Sequence, residues 1–328
     1  MGLSGNYWPA HPKPQQDELF SCWLARTALS NAPTAHRFCQ SIWPNQQVWT
    51  RDIDVCNNIS LIPTLSARTG VPARDIYSMC LQFYEGTVVE RLHVNTPTNW
   101  VLPTGVYHRI RTRYGLQWCP ICLREDPVPY FRRQWRMAFC SCCPKHGILL
   151  ADRCHKCRSP AVPFRSGITT CYKCASDLRD HPPCPALAEA IIAEDLLTKR
   201  AVDGRTLLPG YQPIFPISFF DIWHRLLSLV ASGKRSTALR ASIAKRFGGD
   251  PAPVKFDGKH EIELLPPSER NRLMDLTCRL WPGWPFRLIA VALESRNWAS
   301  YILRDMHPVR YHLWEPMRHF LAGSPAHN

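Results

Sequence analysis

Residues 118–174 read WCPICLREDPVPYFRRQWRMAFCSCCPKHGILLADRCHKCRSPAVPFRSGITTCYKC. Four ligand pairs, each with two intervening residues, follow one another: Cys119/Cys122, Cys143/His146, Cys154/Cys157 and Cys171/Cys174. Such spacing suits a tight turn that aims both side chains at one ion, and two turns complete a tetrahedral zinc site. Eight ligands in order therefore predict two zinc modules in tandem, holding two Zn2+ ions. Spacing leaves one choice open, because Cys140/Cys143 is also a two-residue-spaced pair and would make His146 a bystander. His155, inside the turn between Cys154 and Cys157, reads as a solvated residue.

Four protein ligands per ion leave no position for a reacting water, so these zinc sites are expected to be structural. Each ion can contribute roughly 10–16 kcal/mol of apparent binding energy to a small module. That is enough to hold together segments with little core of their own. No Gly-rich phosphate loop ending in Lys-Ser or Lys-Thr is present, nor a His-Glu-x-x-His helix, nor the zinc-deaminase signature. A dispersed carboxylate triad of a nuclease or transposase would need a strand-rich scaffold, which the pattern does not offer.

The chain has 328 residues, enough for two or three domains, and 45% of them are hydrophobic. It has no signal-peptide core and no run of about twenty apolar residues, so a soluble, cytoplasmic protein without membrane partners is expected. Fifteen cysteines would suit a disulfide framework in a secreted domain, but seven of them join His146 in the zinc pattern. The other eight, Cys22, Cys39, Cys56, Cys80, Cys140, Cys142, Cys184 and Cys278, read mostly as small buried residues.

The net charge of +14 favours an anionic partner such as nucleic acid. Residues 1–118 carry 10 basic and 7 acidic side chains, residues 119–184 carry 11 and 5, and residues 185–328 carry 19 and 14. The zinc region is thus the most basic per residue. Within it, YFRRQWRM interleaves Arg132, Arg133 and Arg136 with Tyr130, Phe131 and Trp135, which suits a phosphate backbone or an acidic protein surface. The competing reading is a strand whose aromatics pack beside the zinc.

Upstream, DELFSCWLARTALS (residues 17–30) places Leu19, Phe20, Trp23, Leu24, Ala28 and Leu29 on one helical stripe, with Asp17 as the expected N-cap and Trp23 in the core. ISLIPTLSARTG (59–70) predicts a short helix ended by Gly70. VPARDIYSMCLQFY then predicts a second, with Pro72 in its first turn. Helix, glycine turn, helix is the outline of a helix-turn-helix, whose second helix would offer Arg74 and Tyr77 to DNA. A packing or protein-docking surface is the alternative. Residues 91–118 carry Pro97, Pro103, Gly105 and the basic run HRIRTRYG.

SDLRDHPPCP (176–185) reads as a boundary, and the remainder is helical in pattern. PALAEAIIAEDLLTKR, FPISFFDIWHRLLSLVASG closed by Gly233, STALRASIAKRFGG, PPSERNRLMDLTCRLWPGWP and FRLIAVALESRNWASYIL each predict a helix, with Ser268 as a start signal. The expected organisation is a helical, helix-turn-helix-like domain over 1–118, tandem zinc modules over 119–184 and a helical domain over 185–328. The fold class is mainly α, with small zinc-ribbon-like β elements.

Over residues 119–157 the chain resembles the TniQ family of transposition targeting proteins. The shared features are CPICL with Glu125 and Asp126, YFRRQWR, CPKHGILL and DRCHKC. The opening PKPQQDELFSCWLARTA is also similar, and the likeness extends loosely into the carboxy-terminal helices. The resemblance favours Cys143 with His146 as ligands. It implies a non-catalytic adaptor that marks a target site by reading DNA or by docking on a CRISPR RNA-guided complex. Such an adaptor recruits a AAA+ ATPase and, through it, the transposase. A head-to-tail homodimer and a bacterial cytoplasmic location, at the nucleoid when DNA-bound, are further implications. The alternatives are a stand-alone sequence-specific DNA-binding regulator and, from another class, a nuclease or transposase.

Overall fold

The computed structural model describes residues 7–55, 59–93, 96–104, 113–204, 206, 213–232, 235–256, 261–304, 306 and 308–321. Gly105, Gly233, Cys56 and residues 108–112 of the basic HRIRTRYG run lie outside them. The chain divides into two compact units, Met1–Glu85 with Arg91–Cys184, and Gly86–Glu90 with Pro185–Asn328. The two sides of position 118 therefore share the first unit. Its elements are α1 (Phe20–Asn31), α2 (Ala35–Ile42), α3 (Leu61–Thr69), α4 (Ala73–Ser78), α5 (Pro120–Glu125), β1 (Cys142–Cys143), β2 (Ile148–Leu149) and α6 (Pro163–Ser166). The fold is mainly helical, and its one sheet among the described residues is a two-stranded antiparallel hairpin pairing Cys142 with Leu149 and Cys143 with Ile148.

The amino-terminal core forms because α1 carries an apolar stripe. Phe20, Trp23, Leu24 and Ala28 pack with Phe38 of α2, Leu61 and Leu65 of α3 and Ile76 of α4. Trp23 is fully buried, and its indole donates to the Pro12 carbonyl at 2.8 Å. Asp17 is not the cap of α1. It sits in a left-handed conformation (φ 54°), Leu19 occupies the cap position without a side-chain bond, and the Asp17 carboxylate instead faces Arg133.

Helix α3 ends where Gly70 takes φ 67°, a conformation that L side chains adopt at a cost. A Cβ at that position would also meet the ring of Tyr7 at 3.3 Å. The expected second helix is shorter than its sequence suggests. Pro72 precedes the first turn as the extended cap of α4, which stops at Ser78. Cys80 is then extended, and residues Leu81–Tyr84 form a separate 3-10 turn whose Leu81 and Tyr84 are buried. Packing of these two side chains prevails over helix continuation.

The metal-ligand segment is sewn onto this core. Leu19 donates its amide to Phe131 and Arg133 donates its amide to Asp17, at 2.9 and 2.8 Å. Trp118 is fully buried, exchanges amide bonds with Ala151 and donates its indole to Leu178. Phe164 of α6 stacks on Trp49, ring centroids 4.7 Å apart. The hairpin has a third edge, since Leu149 donates its amide to the Cys184 carbonyl at 2.7 Å.

The arginines of the YFRRQWRM run carry much of this attachment, and here the expectation of a phosphate-facing surface is overturned. Arg136 is fully buried; it pairs with Asp54 at 2.7 Å, with Asp52, and with the Leu102 carbonyl. Arg133, 5% exposed, pairs with Asp17 at 3.0 Å, donates to the Ser78 carbonyl and lies over the Phe83 ring at 3.6 Å. Arg132 pairs with Asp126 at 2.9 Å and is held between the rings of Tyr130 and Trp135. A guanidinium taken out of water needs such partners, so the run is internal. Burial pushes Asp54 up to about 6, against the pull of Arg136 and with a further push from Asp52.

The second unit holds α7 (Ala188–Asp203), α8 (Pro216–Ala231), α9 (Ser236–Phe247), α10 (Pro267–Cys278), α11 (Phe286–Glu294), α12 (Ala299–Leu303) and α13 (Tyr311–Leu321). Helix α10 packs against α7, α8 and α9. Trp223 stacks on Trp281 and Trp281 on Trp284, at 4.6 and 5.0 Å. Ser268 lies one residue inside α10, whose cap is Pro266 without a side-chain bond. FRLIAVALESRNWASYIL divides into α11 and α12, with Arg296 left-handed (φ 54°) between them. Among the described residues no helix is long and apolar enough to cross a membrane.

Removing one partner of a buried ion pair strands the other charge, at a cost of about 3–5 kcal/mol. Arg136→Ala is expected to lose that much in denaturant unfolding. Arg74→Ala, at a side chain 88% exposed, should change stability by less than about 0.5 kcal/mol.

Candidate metal centre

Two groups of donor atoms converge, each lying within 4.8 Å of one another: Cys119, Cys122, Cys143 and His146, and Cys154, Cys157, Cys171 and Cys174. In the first, Cys119 caps α5 with Pro120 at its first position, and its sulfur accepts from the Cys122 amide. Pairing of β1 with β2 folds Pro144–Gly147 into the turn that presents Cys143 and His146. His146 Nδ1 lies 3.3 Å from Cys119 Sγ, 3.4 Å from Cys122 Sγ and 3.5 Å from Cys143 Sγ, and Cys122 Sγ lies 3.6 Å from Cys143 Sγ. Donors on a zinc tetrahedron with arms near 2.3 Å stand about 3.8 Å apart, so the set fits with a small contraction. Cys140 belongs to neither group, and His146 takes the fourth corner.

The other nitrogen of the same ring identifies an outer partner. His146 Nε2 lies 3.0 Å from Glu125 Oε2, and Lys145 Nζ lies 2.8 Å from the same oxygen. A carboxylate accepting from the far side of a ligating histidine fixes the ring's tautomer and orientation. Lys145 first and His146 second hold the Glu125 carboxyl below its usual range. Negative charge within the group gathers on Cys143, pushed down to about 2 as the thiols of Cys119 and then Cys122 donate to it.

The second group is built from two matching turns, CHKCRS (154–159) and CYKCAS (171–176). Arg158 N donates to Cys154 O at 3.0 Å, and Ala175 N to Cys171 O at 2.9 Å. Cys154 N donates to Ser159 O at 2.8 Å, and Cys171 N to Ser176 O at 2.9 Å. Arg158 and Ala175 are both left-handed, at φ 61° and 56°; the equivalent place in the first centre is Gly147, at 63°. The turns face one another with Cys154 Sγ 3.6 Å from Cys174 Sγ and Cys157 Sγ 3.5 Å from Cys171 Sγ. Ser176 Oγ lies 3.0 Å from Cys154 Sγ and 3.2 Å from Cys174 Sγ. Its hydroxyl and then its amide bring Cys174 down to about 6, so a thiolate is available to a metal at neutral pH.

Both sets thus suit zinc, which would cross-link short segments here and leave no coordination position for a substrate. His155 is half-buried, with its ring 6.1 Å from that of His181, and stands outside the donor set. Of the remaining cysteines, Cys22, Cys39, Cys80, Cys140 and Cys142 are buried, Cys278 is intermediate and Cys184 is exposed, contrary to the expectation for that one. Arg74 and Tyr77 both lie exposed on the six-residue α4, with Arg74 3.3 Å from Asp75. Glu125 and Ser176 are functional neighbours of the ligands that spacing does not reveal; the doubled Cys-x-x-Cys-x-Ser is the available signal for the serine.

A helical unit built around paired ligand turns defines a module with two candidate zinc sites. Residues 9–150 match the TniQ family model. That stretch covers the amino-terminal helices and the first metal centre. No curated protein matches the chain.

The purified protein is expected to hold two zinc equivalents. Cys154→Ser should leave one, whereas Cys22→Ser and Cys140→Ser should leave two; equal loss from all three would refute the ligand sets. Glu125→Ala should retain the fold but weaken the first site's zinc affinity about 10–100-fold, read by chelator competition. Ala175→Gly relieves a left-handed alanine and should raise stability by about 1 kcal/mol in thermal unfolding.

Proposed function

We propose that this protein is a non-enzymatic adaptor in transposition, linking a target site on DNA to a AAA+ regulator ATPase and through it to the transposase. The observation that carries the reading is the TniQ match over residues 9–150, which takes in all four donors of the first metal centre. Closed four-donor sites support it, because they suit scaffolding rather than catalysis at the metal. The basic balance of residues 119–184 supports an anionic partner. The target is reached either by direct contact with duplex DNA or by docking on a CRISPR RNA-guided complex. The exposed Arg74 and Tyr77 belong to the direct route, although α4 is short for a groove-reading helix. Self-association as a homodimer and residence in the cytoplasm belong to the same reading.

The test is reconstitution with the ATPase encoded in the same element. The protein, the ATPase with ATP and a target duplex are expected to co-elute as one assembly. Stripping both metals with a chelator should abolish that assembly together with the compact fold of the first unit. A defined footprint on DNA with no ATPase association would favour the stand-alone regulator instead. Metal-dependent strand cleavage lost on carboxylate substitution would overturn the non-enzymatic reading.

A further inference from the structure

The cations of the two metal centres are deployed differently. Around the first, Arg132, Arg133, Arg136 and Lys145 each have a carboxylate partner, in Asp126, Asp17, Asp52 with Asp54, and Glu125, while Arg124 donates to the Arg179 carbonyl. Four positive charges that face carboxylates offer little to an incoming anion. The second centre has the opposite composition. Residues 153–176 contain Arg153, Lys156, Arg158, Arg165 and Lys173, and no Asp or Glu. The flanking carboxylates Asp152 and Asp177 are taken by Arg153 and Arg179, at 2.7 Å in both cases.

The matching turns determine where the remaining charge is shown. Lys156 and Lys173 occupy the same position, directly before the second cysteine of CHKC and CYKC, and both are exposed. Arg158, also exposed, directly follows the second cysteine of the first turn. These three side chains have no carboxylate partner among the described residues. The cysteine sulfurs they flank lie within 4.8 Å of one another, so the three cations are carried on turns that share one ion position. Arg165 adds an exposed cation from α6, its guanidinium 5.4 Å from the Tyr172 ring.

The size of the effect survives the charge of the centre itself. Zinc with four thiolates carries a formal 2−, against Lys156, Arg158, Arg165 and Lys173 once Arg153 is paired with Asp152, which leaves two net positive charges. These charges sit on short turns whose backbone is held by its own Cys154–Ser159 and Cys171–Ser176 amide bonds and would be fixed further by a bound metal, so little ordering cost accompanies a contact. Regularly placed, exposed cations on a rigid backbone, without acidic neighbours in the segment, fit a polyanion of repeating phosphates.

We infer that the outer face of the second metal module, with Lys156, Arg158 and Lys173 at its centre, grips the phosphate backbone of duplex DNA. This assignment rests on the adaptor reading above and gives its DNA contact a surface that reads no bases. It separates the roles of the two centres, the first joining the unit internally and the second facing the nucleic acid.

The test compares the full-length protein with the variant Lys156→Gln/Arg158→Gln/Lys173→Gln, in binding to duplexes of unrelated sequence across a salt series. Both proteins should hold two zinc equivalents, which controls for folding. Each lost phosphate contact lowers the slope of log affinity against log salt by about 1, so the variant's slope should fall by about 3 with every duplex alike. A control variant, Lys199→Gln/Lys245→Gln, at exposed cations of the second unit that pair with Asp195 and Glu294, should keep the parent slope within about 1. If the parent binds duplex DNA and the triple variant retains its slope, the phosphate face is overturned while the adaptor reading stands. Loss of binding confined to single-stranded RNA would overturn the duplex assignment too. A parent without salt-sensitive affinity for any duplex would overturn the inference and the direct DNA route of the adaptor together.

Discussion

A guanidinium removed from water must be surrounded by opposite charge and carbonyl oxygen, and Arg136 meets that requirement with residues far away in sequence. Asp52 and Asp54 come from the turn after α2, and the Leu102 carbonyl from the segment entering the metal region. None of the three can be satisfied unless the helical segment and the ligand segment are folded against each other. Arg133 repeats the constraint on the other side, through Asp17 and Ser78. The first unit is therefore one cooperative body, in which a small metal site is supported by the helices and in turn restrains them. Such pairs add little net stability compared with an apolar core, but they penalise every arrangement that leaves a charge buried alone.

The two metal centres use one local solution with different supports. In the first, a hairpin and the start of a helix supply the turns, and Gly147 provides the left-handed residue. In the second, Arg158 and Ala175 take that conformation without glycine, at about 1 kcal/mol or more each. The cost is tolerable because metal binding is worth roughly ten times as much. At Arg158 the non-glycine residue also places a cation beside the metal site.

How much of this is legible in the sequence depends on the range of the interactions involved. Ligand pairs are local, since two residues between cysteines dictate a turn whatever lies elsewhere, and all eight donors fall into the two expected groups. The boundary near Cys184 and the cores of α1, α7, α8 and α10 are readable from periodicity and proline. The arginine run misleads for the complementary reason. Charge is visible in a sequence, but its partner is not, and the partners of Arg133 and Arg136 lie 116 and more than 80 residues away. The stop of α4 at Ser78 depends on burial of Leu81 and Tyr84, which no local propensity encodes. Helix α13 escapes a periodicity reading because Pro316 interrupts its pattern, although the helix continues through it.

The hairpin of the first metal site carries one more strand-like partner, the carbonyl of Cys184, bonded to Leu149. An isolated two-stranded hairpin leaves an open edge on which a foreign strand can pair. Here the protein occupies that edge at one point with the last residue of its own first unit. The last passage of the chain out of the first unit thus starts at a residue bonded to the hairpin that presents Cys143 and His146. The turn that presents Cys143 and His146 and the end of the first unit share a backbone hydrogen bond, so any event that loosens the hairpin also removes that tie.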